Sequence, residues 1–243
     1  MMHFLQRQQL NRRSAAQHER TGVGLGRRVF RNSVGFIATI VLSMSATACH
    51  SEPVKVEVGL ARGQELYDTC TPCHGAAGDG KAVIEAPAIA GMDEWYLKSQ
   101  LQKFKTATRG AHPDDDGGMR MRPMARSLDL EGDLESVAMF VAQMSPTTPE
   151  STLEGGDAKL GESSYMACAA CHGANGKGME ALKAPSLVGQ SDWYLAKQLD
   201  HFKKGIRGAN VEQDPTAAAM VGMAATLPDE QAILNVVAYI KSL

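Results

Sequence analysis

Aromatic side chains are scarce in this 243-residue chain, at 5% of the total. That is thin for two cores of roughly 80 to 90 residues each, because small domains bury limited apolar area. A large apolar prosthetic group would make up the deficit. A basic surplus is missing as well. With 25 Lys and Arg against 27 Asp and Glu the formal charge is −2, so no positive field exists to attract nucleic acid. No strand-like alternation of period two competes with the helical patterns. The apolar run at residues 34–44 is too short to sit comfortably across a bilayer as a permanent helix. With 44% hydrophobic and 21% charged residues, composition points to neither a disordered chain nor a membrane bundle.

What is present begins with an export pattern. Residues 1–31 are rich in Arg, the apolar run follows, and Ser45, Ala46, Thr47, Ala48 and Cys49 close it. This reads as a signal peptide over residues 1–48. Small residues before Cys49 resemble a lipoprotein lipobox, in which the cysteine is lipidated and heads the mature chain, although Ala46 stands where that pattern usually has Leu. An ordinary A-x-A cleavage site fits Ala46, Thr47 and Ala48 equally well. Arg27-Arg28-Val29-Phe30 also resembles a twin-arginine signal. Every version places the mature chain outside the cytoplasm, in the periplasm, with membrane attachment through a lipidated Cys49 in the first version. Residues 49–56 would form a tether.

An odd cysteine count in an exported chain asks for an explanation. Of the five, Cys49 stands alone, while Cys70 with Cys73 and Cys168 with Cys171 form pairs. The pairs lie in an internal repeat: residues 70–111 laid over 168–209 give 20 identities in 42 positions without a gap. The repeat matches Trp95, Tyr96 and Leu97 with Trp193, Tyr194 and Leu195, and Arg109 with Arg207. Beyond residue 111 the offset changes from 98 to 99, which pairs Met121 with Met220 and Met124 with Met223. A polar, Pro-containing stretch at 145–154 reads as an exposed connector. It divides a first domain at 57–144 from a second at 155–243. Each copy reads as all-α: a helix at 59–69 or 155–167, an attachment loop, a central helix at about 93–108 or 192–206, a long loop, and a last helix. The last helices carry Leu130, Leu134, Val137 and Val141, and Ile233, Val236, Val237 and Ile240.

Each pair belongs to a C-x-x-C-H motif, Cys70-Thr71-Pro72-Cys73-His74 and Cys168-Ala169-Ala170-Cys171-His172. One helical turn separates the two thiols, so both can add to the vinyl groups on one haem edge, and the next residue turns its imidazole to the iron. Two covalently attached haem c groups are implied, with His74 and His172 as iron ligands. A four-cysteine zinc site is a poor rival, since its knuckles would lie 98 residues apart. Dithiol redox chemistry and structural disulfides both leave the two histidines unexplained. For the sixth position each copy offers two methionines, whose soft thioethers favour ferrous iron and close the coordination sphere to substrate. The residues alone leave open which methionine of each pair binds. His112 and His201 are further candidates, but neither falls opposite a histidine in the other copy, and both read as surface or supporting residues.

Across residues 57–243 these motifs resemble the cytochrome c4 family, two tandem class I cytochrome c domains that carry electrons to terminal oxidases. The resemblance implies three main helices around each haem and axial ligation by Met121 and Met220, leaving Met124 and Met223 to pack near the haem edge. It also implies that Pro87 and Pro185, 13 residues after each His, accept the proximal imidazole's hydrogen bond. Trp95, Tyr96, Trp193, Tyr194, Arg109 and Arg207 become candidates for haem propionate contacts, with core packing the alternative for the aromatics. Gly63 and Gly161, with Phe140 and Tyr239, resemble the crossing of first and last helices. The function expected is one-electron transfer, without catalysis, between redox proteins such as a dehydrogenase or quinol-oxidising complex and a terminal oxidase. A dihaem peroxidase, which needs one openable iron, and a bound subunit of a dehydrogenase complex are the alternatives.

Overall fold

A computed structural model describes residues 57–243; the leader, the twin-arginine pair, Cys49 and the tether lie outside the described residues. The first copy contains α1 (Leu60–Tyr67), α2 (Thr71–His74), α3 (Glu94–Lys105), α4 (Asp116–Arg126) and α5 (Asp133–Gln143). The second contains α6 (Ala158–His172), α7 (Asp192–Lys203), α8 (Pro215–Ala224) and α9 (Glu230–Ser242). Among the described residues there is no β-strand, only the isolated bridges Lys81–Ala86 and Met179–Ala184.

Each copy is built on one crossing. α1 lies against α5, and α6 against α9, at two glycines that let the helices approach. A Cβ at Gly63 would lie 2.1 Å from the Ser136 carbonyl oxygen, and one at Gly161 would lie 2.0 Å from that of Asn235. The rings beside each crossing touch, Tyr67 with Phe140 at 5.5 Å and Tyr165 with Tyr239 at 5.2 Å between centroids. The central helices α3 and α7 then cover the crossing with the expected stripe. Leu97 and Phe104, like Leu195 and Phe202, are buried, and Leu101 and Leu199 pack at the core margin. Val137 and Val141, like Val236 and Val237, complete each core from the last helix. Asp229 opens α9 by accepting a hydrogen bond from the Ala232 amide, the capping role that the Pro-Asp-Glu sequence suggests.

Three details depart from the expectation. The long loop after each central helix holds a helix of its own, α4 or α8, so the methionines sit on regular structure. Leu130 precedes α5 and is 40% exposed, outside the core stripe. The first copy's attachment segment is separated from α1 by a turn at 68–70, whereas α6 runs unbroken through Cys168, Cys171 and His172.

The connector docks on the second copy. Asp192 accepts hydrogen bonds from the Thr152 amide at 2.6 Å, the Thr152 hydroxyl at 3.0 Å and the Leu153 amide at 2.8 Å. No described helix is long and apolar enough to cross a membrane.

Candidate functional site

The two CxxCH segments present the same geometry. His74 is buried and its Nδ1 lies 2.9 Å from the Pro87 carbonyl oxygen; His172 is buried with Nδ1 2.9 Å from that of Pro185. Burial pushes both imidazoles below their ordinary range, against the pull of the proline carbonyl. A neutral ring that donates from Nδ1 keeps the Nε2 lone pair for a metal. A second fixed point follows each histidine: Tyr67 donates to the Gly75 carbonyl at 2.7 Å and Tyr165 to that of Gly173 at 2.8 Å. None of Cys70, Cys73, Cys168 and Cys171 is disulfide-bonded; Cys70 and Cys168 are half-buried, and Cys73 and Cys171 face solvent. Burial pushes the Cys70 thiol up to about 11 and that of Cys168 upward.

Met220 and Met223 on α8 both line a cavity of about 130 Å³ that also holds His172, Cys168 and Pro185. Met220 packs against the cluster of Phe202, Ala217 and Ala224. In the first copy Met121 is half-buried while Met124 is 37% and Met119 38% exposed. Two features aim the methionine helices. Asp115 accepts from the Gly118 amide and Asp214 from the Ala217 amide, capping α4 and α8. Gly110 and Gly208 have positive φ, and their Cα atoms abut the first turn of those helices so closely that an added Cβ would lie 2.4 and 2.5 Å from a backbone oxygen.

Between the copies lies a buried polar cluster that pairs each arginine with the other half. Arg109 donates to Gln100 at 2.8 Å within its own copy, and across the interface to Tyr194 at 2.6 Å and Gln198 at 3.0 Å. Arg207 donates to Gln198 at 2.7 Å, and across to Tyr96 at 3.2 Å and Gln100 at 2.9 Å. Burial works to raise the Tyr96 phenol, but the charges of Arg207 and Arg109 outweigh it and hold the group below its ordinary value. Trp95 and Trp193 sit edge-on to their neighbouring tyrosines at 5.6 Å. Of the two rival histidines, His112 is half-exposed, while His201 is buried at the interface and is not a surface residue. Gln100 and Gln198 were not singled out from the sequence, although their identity within the repeat was the available signal.

The residues suit a covalently held haem in each copy. Paired thiols precede a neutral, oriented imidazole, and in the second copy thioethers share its cavity. The Nε atoms of Arg109 and Arg207 are buried without partners, and two guanidinium groups hydrogen-bonded only to neutral side chains call for an anion, which a haem propionate would supply. Cys70, Cys73, Cys168 and Cys171 would hold the two groups, and His74 and His172 would meet the irons. Such iron takes up and releases one electron.

Comparison with known proteins agrees. The family model for cytochrome c matches residues 60–145 and again 158–243. The chain is 33% identical over 159 residues to a cytochrome c4 of Azotobacter vinelandii, covering 60% of this chain and 73% of that protein. It is 31% identical over 181 residues to a thiosulfate dehydrogenase electron acceptor of Stutzerimonas stutzeri (strain A1501), covering 70% and 78%. The crystal structure of reduced recombinant cytochrome c4 from Pseudomonas stutzeri superimposes with a TM-score of 0.60 at 30% identity, over 77% of this chain and 100% of that one. Two such domains imply two covalently bound haem c groups. The chain therefore belongs to the cytochrome c family, within its cytochrome c4 branch, and is a dihaem electron carrier, not an enzyme.

Proposed function

We propose that the protein is a periplasmic carrier that relays single electrons from a dehydrogenase or quinol-oxidising complex to a terminal oxidase, with His74–Met121 and His172–Met220 as its two axial ligand pairs. The observation that carries this reading is the cavity in which oriented His172 and the thioethers of α8 meet. A site closed by a thioether changes charge with little change in ligation and leaves no position for a substrate. Pro87 and Pro185 fix the proximal rings, and Arg109 and Arg207 answer the propionate charges. The likeness to a thiosulfate dehydrogenase electron acceptor favours a dehydrogenase of inorganic sulfur compounds as donor. Residues 57–144 and 155–243 are the two haem domains, residues 1–48 direct export, and a lipid on Cys49 keeps the carrier at the membrane.

The test is spectroscopic. Both oxidised haems should show the methionine-to-iron charge-transfer band; Met121→Ala and Met220→Ala should each remove one contribution, while Met124→Ala and Met223→Ala leave the band in place. An unaltered spectrum in the first pair refutes the ligand assignment. Intact mass of the exported protein reads the haem count and the lipid on Cys49 together.

A further inference from the structure

Each central helix sends one side chain across the interface to the aspartate that caps the other copy's methionine helix. Lys103 Nζ lies 2.8 Å from Asp214 Oδ1, and His201 Nδ1 lies 3.8 Å from Asp115 Oδ1. Positions 103 and 201 are equivalent in the repeat, as are 115 and 214. One crossed device therefore occurs twice, with a permanent cation on one arm and a titratable ring on the other.

The His201 arm is incomplete as it stands. The ring is 5% exposed, Asp115 is 4% exposed, and His201 Nδ1 is buried without a hydrogen-bond partner. A displacement of about 0.9 Å would bring it within hydrogen-bond range of Asp115. The charged groups that face the ring are Asp115 and Arg109 of the first copy, Glu85 from the first copy's loop, and Lys197 and Asp200 of its own helix. The carboxylates favour a proton on the ring; Arg109 and Lys197 oppose it. Burial is the largest influence and, with those cations, holds the ring below its ordinary value of 6.5.

We propose that His201 is the proton-linked residue of the first haem domain, taking up a proton when that domain gains an electron and thereby coupling electron transfer to protons in one half of the molecule only. The inference rests on the reading that Met121 on α4 is the first domain's axial ligand. His201 accepts the proton from solvent at Nδ1 when one electron arrives from the redox partner, and returns it to solvent when the electron leaves. Only the N–H bond forms or breaks. Protonation makes His201–Asp115 an ion pair like Lys103–Asp214, at the cap of the helix that carries Met121. The second domain has the Lys103–Asp214 pair in the equivalent place.

Potentiometric titration of the dihaem protein over pH 4.5 to 8 in about half-unit steps, with each midpoint assigned to its haem by NMR, tests this. The first domain's midpoint should fall as pH rises through a window below 6.5, and the second domain's should not. Ring NMR of His201, read independently of any activity, should show proton affinity on the order of tenfold higher in the reduced protein, as a unit charge change roughly 10–15 Å away, beyond six residues of helix, produces at an effective dielectric of about 20. H201Q should remove the window and hold the first midpoint at its high-pH value; H201K should hold it at its low-pH value. K103H, which leaves His201 in place, should create a matching window in the second domain. A flat first midpoint in the wild type, an undiminished slope in H201Q, or a His201 titration identical in both redox states overturns the proposal. If Met121 is not the ligand, the failure shows separately, as a methionine band that survives Met121→Ala.

Discussion

Gly63→Ala is the sharpest test of the helix crossing on which each haem domain is built. An alanine Cβ there would lie 2.1 Å from the Ser136 carbonyl oxygen and 2.7 Å from Phe140 Cβ, both parts of α5 that cannot swing aside. Ordinary contact begins near 3.4 Å, so α1 and α5 must separate by about 1.3 Å. That opening stretches the 2.8 Å pair between Arg62 and Asp133, whose carboxylate is 1% exposed, and the 3.2 Å bond from the Gly59 amide to the Ser136 hydroxyl. Alanine gains about 1 kcal/mol of helix propensity over glycine. Overpacking costs about 1–3 kcal/mol, and weakening a buried charge-assisted bond costs about 1–3 kcal/mol more. The net loss is about 3 kcal/mol, to be read from denaturant unfolding of the haem-loaded protein by far-ultraviolet circular dichroism. Gly117→Ala is the control, because that position on α4 has nothing within 4 Å of an added Cβ and should gain up to about 1 kcal/mol. A Gly63→Ala protein that unfolds at or beyond the wild-type midpoint would show that the crossing has slack and that the contact argument is wrong.

Asp192→Asn should cost about 1–3 kcal/mol at neutral pH, since it weakens the bonds that dock the connector. Burial works to raise the Asp192 carboxyl, but the amides of Leu153, Trp193 and Thr152 outweigh it and hold the group below its ordinary 3.8. The sign follows: its stabilisation is complete above 3.8 and is lost as pH falls through the depressed value. Parallel urea unfolding at pH 7 and near pH 3 should show the wild-type advantage shrinking in acid; an equal gap at both would contradict it. Tyr67→Phe and Tyr165→Phe each remove the phenol bond to the carbonyl that follows the CxxCH histidine, leaving it only the Gly78 or Gly176 amide, and each should lower stability by about 0.5–1.5 kcal/mol in thermal unfolding. Tyr67 is held as a phenol, its group pushed up to about 12 by burial, so that loss should be constant from pH 6 to 9.

Much of this arrangement is legible in the chain because the repeat doubles every signal. The stripe of Leu97, Leu101 and Phe104 recurs at Leu195, Leu199 and Phe202, and the prolines that accept from His74 and His172 stand at the same spacing in both copies. Helices α4 and α8 escaped because their sequences hide a helical period. α4 contains Gly117, Gly118 and an internal Pro123, while α8 is almost uniformly small or apolar from Ala217 to Ala224. The capping aspartates Asp115 and Asp214 were the readable signal, and their role shows only when the following amides are counted as needing acceptors. The burial of His201 was hidden for another reason. It adjoins core residue Phe202 in sequence, but it is buried where Asp115 of the other copy packs across the interface, a neighbour that its own helix does not reveal.

The inserted residue that shifts the repeat's offset explains how the interface tolerates divergence. Tyr96, Gln100 and Arg109 match Tyr194, Gln198 and Arg207 before the insertion, and Asp115 matches Asp214 after it. Both ends of the intervening loop are fixed, at one side by the arginine cluster and by Gly110 or Gly208 against the methionine helix, at the other by the aspartate cap. Its middle is exposed, as Val211 at 63% shows, and there an extra residue changes length without moving either end. Substitutions at buried interface positions have no such freedom, because the arginines there bond to tyrosines and glutamines of the other copy. Lys103 and His201 are a departure from symmetry that reaches the caps, and so a place where two copies of one domain acquire different electrostatics while keeping the same fold.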